Sequence, residues 1–456
     1  MVGKQIKLTL FEYTDDTPII IDEGILSPDY IPPVLHGRDE QMKEVAYLFK
    51  PLFINGAATN CLVFGPPGSG KTVVTKYVLK SLLEKIADDK TVLETLIKEQ
   101  NELHNKGLEL EETELKQLNN LYKTNPNINI QWTYVHCKKY HTTSSILFHL
   151  ITTLDPNNNV ARKGVPLDVY YNKLFNIMKM KNAAIILILD EIDFLQSDNV
   201  LYNFSRAIAN EEITGRQFIS VIGLSNSVKF EESLDPRVLS SAGFDKLNFP
   251  HYNADDIINI LQDRVELAFA PNSIEIDTLA HCARDSAKAE GDVRKAIKVL
   301  KMAAKFAEKR GSTLITVDDL HTAQDEVQKN QLYENVLLLS DRHKLVLLSI
   351  IKMLDYGESA TTGQVTKIYD LMCPRIDLDV RDRKAVSNAI TSLELQSLII
   401  TNTVHRGRKK GGTTRVITIN KEDKTDMIRA IFQDKLFKEE LDLYDPIVEN
   451  QSLLFD

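Results

Sequence analysis

Cysteine is scarce in this chain: four in 456 residues, at Cys61, Cys137, Cys282 and Cys373, far apart and without a Cys-x-x-Cys pair. That spacing fits neither a disulfide framework nor a thiolate zinc site and points to a reducing compartment. His136, Cys137 and His141 are close together, but a strand and its exit loop rarely make a metal cluster and none is assigned there. Long apolar runs are missing too. The longest, residues 183–189, falls far short of the roughly 20 residues that span a bilayer, and the N-terminus has no signal-peptide core. Both absences predict a cytoplasmic chain without membrane contact. The third lack is positive charge: 55 Lys and Arg against 64 Asp and Glu leave a net charge of −9. Any nucleic acid would have to be met by local patches rather than by the whole field.

What is present is ordinary globular material, 43% apolar and 26% charged, in a length that suggests about three domains. Residues 1–25 read as a flexible arm. Residues 26–247 alternate strands with helices, which predicts an α/β base domain with a mostly parallel sheet. Inside it, residues 88–129 read as an inserted helical hairpin around a turn at 104–107. Its outer face is rich in Glu and Lys, which suits either a spacer packed on itself or a partner-docking arm. Residues 248–330 are almost wholly helical and read as a separate lid, followed by a polar stretch at 325–331. Residues 335–422 give three helices and two β-like runs joined by a basic loop, the order of a winged helix. A helix at 426–436 and an acidic tail fill residues 423–456.

Gly65-Pro66-Pro67-Gly68-Ser69-Gly70-Lys71-Thr72 matches the phosphate-loop pattern in full, between a strand candidate and a helix candidate. Its glycines let successive amides face phosphate oxygens, and the following helix presents its positive end. Lys71 would reach the β- and γ-phosphates and Thr72 would ligate Mg²⁺, so the pattern predicts bound ATP or ADP. The apolar run 185–189 ends in Asp190-Glu191. Asp190 can hold the Mg²⁺ shell, and Glu191 can polarise the attacking water. Asp193 is read as a helix cap or structural carboxylate.

Residues 221–224 form a second buried strand candidate, ending at Ser225-Asn226, where Asn226 either reaches the γ-phosphate or its water, or begins a turn. Gly291-Asp292-Val293-Arg294 opens a lid helix, and Arg294 would bring a cation from the second domain onto the γ-phosphate, coupling nucleotide state to domain angle.

These residues resemble the archaeal relatives of the eukaryotic origin recognition complex and its helicase-loading partner, a branch of the AAA+ ATPases. The likeness covers most of the chain. Beside the phosphate loop it rests on Gly37-Arg38-Asp39, Leu189-Asp190-Glu191-Ile192-Asp193 and Ile222-Gly223-Leu224-Ser225-Asn226. It continues through Leu234-Asp235-Pro236-Arg237-Val238, Phe249-Pro250-His251-Tyr252-Asn253-Ala254, the segment from Arg264, and Gly291 to Arg294. The resemblance implies that Asn226 is the first sensor and Arg294 the second. Arg237 is then a finger toward a neighbouring protomer's nucleotide, or a residue that caps its helix or ties base to lid. Arg38, Tyr252 and Arg264 are implied at the nucleotide, with Tyr30, Ile31 and His36 near the adenine. The family also inserts an extra helix toward DNA, here between residues 140 and 166, flanked by Lys138, Lys139, Arg162 and Lys163; ordinary solvated cations are the alternative.

In the winged helix, His405-Arg406-Gly407-Arg408-Lys409-Lys410-Gly411-Gly412 makes a cationic wing able to follow a groove. The recognition helix, about 381–395, offers Arg381, Arg383, Lys384 and Asn388, with Val386, Ile390 and Leu393 inward; Asn388 can read adenine. Winged helices also dock proteins, and the basic wing favours DNA. Ser397 stands where the family usually has a glycine turn. Gln5-Ile6-Lys7-Leu8-Thr9-Leu10-Phe11 resembles a sliding-clamp docking peptide, or is a simple edge strand.

Together these features predict an AAA+ base, a helical lid and a winged helix, in a nucleoid-associated origin-binding initiator. Such a protein would use ATP as a slow latch and recruit or load the replicative helicase. A fast AAA+ motor of branch migration or clamp loading, and a nucleotide-gated protein adaptor, are the alternatives.

Overall fold

In the computed structural model the described residues are 18–54, 56–105, 110–124, 129–213, 216–289, 291–357, 359–405, 413–442 and 444. The chain divides into two units, Met1–Val317 and Asp318–Asp456.

The first unit begins its regular structure with helix α1 (Asp39–Phe49), which buries Val45, Leu48 and Phe49. Strand β1 (Cys61–Phe64) is apolar and buried at every position. Helix α2 (Lys71–Asn105) starts inside the phosphate loop and runs for 35 residues. Helix α3 (Glu112–Thr124) returns beside it. The first arm of the expected hairpin is therefore no separate helix but the far half of the phosphate-loop helix. No proline or glycine between Lys71 and Asn105 stops it. Leu96, Leu110, Leu118 and Leu121 form a small core of their own where the two helices meet. The expected turn at 104–107 falls largely outside the described residues.

Strand β2 (Asn129–His136), helix α4 (Thr143–Leu154), helix α5 (Leu167–Lys181) and strand β3 (Ala183–Asp190) follow. After a short 3-10 turn, Ile192–Phe194, come helix α6 (Asn199–Arg206), strand β4 (Ile219–Ser225), the short helices α7 (Phe230–Ser233) and α8 (Pro236–Ala242), and strand β5 (Asp245–Asn248). The sheet runs β2-β3-β4-β1-β5, and every pairing is parallel. Helices cover both faces, which is why β3 and β4 read as unbroken apolar runs rather than alternating ones. Ile186 and Ile188 of β3 join the core under α1 and α2, while Leu187 and Leu189 join the core under α4 and α5. With all strands parallel, the ends of β1, β3 and β4 open on one edge, where such sheets place their ligands.

The lid is helical: α9 (Ala254–Ala268), α10 (Ile276–Ala289) and α11 (Val293–Lys309). Asn253 and Asp256 form a capping box at the start of α9, and Asp292 caps α11. The arm expected to be flexible is held to this lid from residue 18 on. Ile19 is buried, Ile20 bridges Phe269, and Ile21 N donates to Ala268 O at 2.8 Å. Backbone pairing and a buried isoleucine fix this stretch to the lid.

In the second unit, α12 (Val317–Leu337) contains the polar stretch 325–331, which is helical throughout. Good helix formers with no breaker carry it through. Helix α13 (Asp341–Leu354), strand β6 (Ala360–Thr361), helix α14 (Thr362–Met372) and helix α15 (Arg383–Leu395) precede the hairpin of β7 (Ile400–His405) and β8 (Thr413–Thr418). The small sheet is antiparallel, in the order β6-β8-β7. Between α15 and β7, Ser397 sits at φ 58°, the left-handed conformation a glycine takes without strain. The single helix expected at 426–436 is instead two, Lys424–Ile431 and Lys435–Leu441, the second capped by Asp434. Among the described residues no helix is long and apolar enough to cross a membrane.

Candidate functional site

At the open edge of the large sheet lies a cavity of about 320 Å³, lined by the phosphate loop, residues 27–36, the ends of β2, β3 and β4, and the lid. Its floor is the loop between β1 and α2. Gly68 and Gly70 both have positive φ, 72° and 86°. A Cβ on Gly68 would lie 1.8 Å from Asp292 Oδ1, and one on Gly70 would lie 2.5 Å from the Tyr252 hydroxyl. Those contacts leave no room for a side chain, so the glycines serve both conformation and close packing against the lid.

Lys71 folds back over the loop. Its ammonium donates to Gly65 O at 2.6 Å, Pro66 O at 2.9 Å and Asn226 Oδ1 at 2.9 Å. Burial, and then the nearby Arg294 cation, push its pKa down to about 8. A lysine so desolvated gains from an anion. Among the described residues, Ser69 Oγ is buried without a hydrogen-bond partner. A glycine cradle, a desolvated ammonium and an orphaned hydroxyl fit a polyphosphate.

The Thr72 hydroxyl donates to Asp190 Oδ2 at 2.9 Å. Hydroxyl and carboxylate are the hard oxygen donors that Mg²⁺ takes, so the pair fits that ion. Asp190 Oδ1 accepts the Glu191 amide at 2.9 Å, and Oδ2 also accepts the Tyr134 hydroxyl at 2.5 Å. Glu191 itself stands at φ 52°. Its buried Oε2 makes no hydrogen bond among the described residues and lies 3.4 Å from His136 Nδ1. Asp193 does not cap a helix: it accepts Ser225 Oγ at 2.7 Å and Asn226 N at 3.1 Å, fixing the end of β4. With its backbone held in this way, Asn226 turns its side chain to Lys71 and lines the cavity.

On the lid side, Arg294 lines the cavity with its side chain 58% exposed, and its Nε is 3.8 Å from Asp292 Oδ1. Arg264 is buried; it donates to Ile25 O and lies 4.3 Å above the Tyr30 ring, tying the N-terminal wall of the cavity to α9. Tyr30, Ile31 and His36 line the same wall.

Two expected site residues stand elsewhere. Arg38 does not line the cavity. Its guanidinium is buried behind the phosphate loop, donating to Ser69 O at 2.9 Å and Pro250 O at 2.6 Å, and stacking 3.7 Å from the Tyr252 ring. It holds the loop to the base–lid hinge, because a buried cation needs carbonyls and an aromatic face. Tyr252 shares this clasp while still touching the cavity at Gly70. Arg237 is also outside the cavity, with a side chain 78% exposed. It grips Asp235 through Nη2 to Oδ2 at 2.7 Å and holds that carboxyl down to about 2. Asp235 caps α8 through the Arg237 amide, so the capping belongs to Asp235, and the guanidinium bonds Asp235 rather than the lid.

Among the lining residues that the sequence did not mark for this site are the polar Tyr134, His136 and Lys76. The register that pairs His136 with Asp190 brings β2 alongside, and Lys76 lies one helical turn beyond Thr72. A run ending in Asp-Glu announces itself; the neighbouring strand does not.

In the second unit, Arg383, Lys384 and Asn388 are exposed on α15, while Val386, Ile390 and Leu393 are buried. Arg381 precedes the helix and is exposed, with Asp382 as N-cap. In the first unit Arg162 and Lys163 are exposed between α4 and α5. Arg406, Arg408, Lys409 and Lys410 of the wing, and Gln5 to Phe11, lie outside the described residues.

Known families match this chain in the same order as the architecture. The AAA domain matches residues 54–224, the Cdc6 AAA+ ATPase-type lid domain 258–325, and the CDC6 C-terminal winged helix domain 334–429. The ORC1-type DNA replication protein 1 of Sulfurisphaera tokodaii is 30% identical over 417 residues, 91% of this chain and 93% of its own. The ORC1-type DNA replication protein of Pyrococcus abyssi is 30% identical over 426 residues, 92% of either chain. The solved structure of the Aeropyrum pernix ORC1 protein in complex with DNA matches with a TM-score of 0.74 and 27% identity, over 93% of this chain and 100% of that one. The Aeropyrum pernix ORC2 protein in its ADPNP-ADP complexes, at 20% identity and TM-score 0.53 over 92% of this chain and 99% of that one, shares the fold.

The chain is an AAA+ ATPase-type protein with a Cdc6-type lid and a C-terminal winged helix. It belongs to the family of ORC1-type DNA replication proteins, which archaea carry.

Proposed function

We propose that this chain is an ATP-latched initiator that binds duplex DNA at a replication origin and recruits or loads the replicative helicase, working on the nucleoid in the cytoplasm. One observation carries the latch: the lid cation Arg294 and the phosphate-loop Lys71 face one cavity, close enough for Arg294 to lower the lysine's pKa. Two cations held together repel. A γ-phosphate between them would turn that repulsion into attraction and draw the lid onto the base, whereas a diphosphate leaves less charge to share.

In this reading Lys71 and the loop amides grip the phosphates, and Thr72 and Asp190 hold Mg²⁺. The ion, when bound, neutralises charge on the β- and γ-oxygens. Glu191 polarises the attacking water, and Asn226, held by Asp193, orients it. Hydrolysis would be slow in an isolated chain because Arg237, the candidate finger, does not line its own cavity and would have to leave Asp235 to reach a neighbour's nucleotide. DNA binding falls to Arg381, Arg383, Lys384 and Asn388, to the wing at 406–410, and to Arg162 and Lys163. The Aeropyrum pernix ORC1 protein, similar over 93% of this chain, was solved with DNA, which supports the assignment.

Footprinting the purified protein across its own genome's candidate origins, with ATP and ADP compared, tests the whole reading. Protection at discrete sites that changes with nucleotide is the expected result. Fast, DNA-stimulated ATP turnover would replace the latch by a motor.

A further inference from the structure

Asp190 is held on three sides by protons. Its Oδ1 accepts the Glu191 amide at 2.9 Å, and its Oδ2 accepts both the Thr72 hydroxyl at 2.9 Å and the Tyr134 hydroxyl at 2.5 Å. The amide and the threonine are parts of the motif itself. Tyr134 is not: it comes from β2, paired with Ile188 in the neighbouring strand, and reaches the carboxylate from the side.

A phenol at this distance from a carboxylate belongs to the short, charge-assisted hydrogen bonds, roughly twice as strong as neutral ones. The ring is fixed in turn. Lys76 Nζ sits 3.8 Å from its centroid, a cation–π contact from the helix that carries Thr72. The Thr72 hydroxyl cannot offer its lone pairs to a cation along the direction in which it donates to Asp190. The tyrosine proton has no such competing task, and stays on Oδ2 whichever way Thr72 turns. Without it, only the Glu191 amide and the Thr72 hydroxyl, among the described residues, hold the carboxyl group against rotation about its terminal torsion, whose wells are broad for such sp³–sp² bonds.

We propose that Tyr134 is a positioning residue for the Mg²⁺ site, fixing the rotation of the Asp190 carboxylate, with Lys76 pinning the tyrosine ring. The inference rests on the nucleotide reading above. It makes β2, a strand with no recognised motif, part of the metal site's support.

The test is equilibrium binding of a fluorescent ATP analogue to the full chain during a MgCl₂ titration, wild type against Tyr134→Phe, with ADP binding in EDTA measured on both. Removing the hydroxyl should raise the Mg²⁺ concentration at half-saturation by roughly tenfold or more, the usual cost of taking away a hydrogen bond that orients a metal ligand. Metal-free ADP affinity should stay within about twofold. An unmoved Mg²⁺ midpoint overturns the proposal. So does an equal loss of ADP binding in EDTA, which a general distortion of the pocket would cause. If the wild-type chain binds neither nucleotide under either condition, the nucleotide reading falls first and the proposal with it, a pattern distinct from the other two.

Discussion

Lys71 and Asn226, from the phosphate loop and the end of β4, meet at 2.9 Å, with the ammonium donating to the side-chain carbonyl. The same ammonium also donates to Gly65 O and Pro66 O. Phosphate oxygens would compete for these protons, so a nucleotide that takes them must free Asn226 from the lysine. The candidate first sensor is thereby wired to the phosphate grip through one hydrogen bond.

Lys71→Ala should weaken ATP binding by roughly a hundredfold, as the removal of a charge-assisted hydrogen bond worth up to about 3 kcal/mol implies. Filter binding reads this directly, and unchanged affinity would reject the site.

Glu191→Gln should leave ATP affinity nearly intact while lowering the single-turnover hydrolysis rate by roughly 10²- to 10⁴-fold, the usual range for losing a general base. Hydrolysis at the wild-type rate would show that another group activates the water.

Arg294→Ala should narrow the difference in affinity between ATP and ADP, because in the proposed latch this cation senses the third phosphate. Calorimetric titration of both nucleotides decides it: an ATP-to-ADP ratio equal to that of the wild type removes Arg294 from the sensing role.

Replacing Arg408, Lys409 and Lys410 together by Ala should weaken duplex binding and flatten its logarithmic salt dependence by about 0.9 for each phosphate that is no longer neutralised. A slope that does not move would exclude the wing from the phosphate backbone.

Ser397→Gly should stabilise the second unit by roughly 1 kcal/mol, since left-handed backbone costs a residue with a Cβ about that much. Denaturant unfolding of the full chain, followed by a probe in that unit, should show a higher midpoint. A lower one would mean that the serine side chain contributes more than its strain costs.

The parallel sheet was legible because its central strands are buried on both faces: residues 185–189 and 221–224 read as apolar runs ending in polar residues, and those ends line the candidate site. The phosphate loop was legible because its chemistry demands glycines in sequence. Arg38 was not, since its motif fixes where it falls in the chain but not which way the guanidinium turns; burial sends it to Ser69 O and Pro250 O instead of the cavity. Tyr134 was invisible because it acts across a strand pairing, and a hydrogen bond between residues 56 positions apart leaves no local spacing. The hairpin was half seen. Its leucines announced a helix pair, but nothing in their period said that the first helix began at Lys71.

The long helix α2 also has a mechanical side. Its 35 residues span about 52 Å at roughly 1.5 Å per residue. Its root is Lys71 and its tip carries the leucine-packed return. Its first turns are packed in the base core through Val74, Val78, Leu79 and Leu82; were the roughly 28 Å beyond Ile86 to tilt as a stiff rod by roughly 5°, the far end would swing by about 2 to 3 Å. In such a tilt, a small change at the phosphate-loop end of the helix would be enlarged into displacement at the tip of the insertion, as a lever enlarges the movement of its short arm.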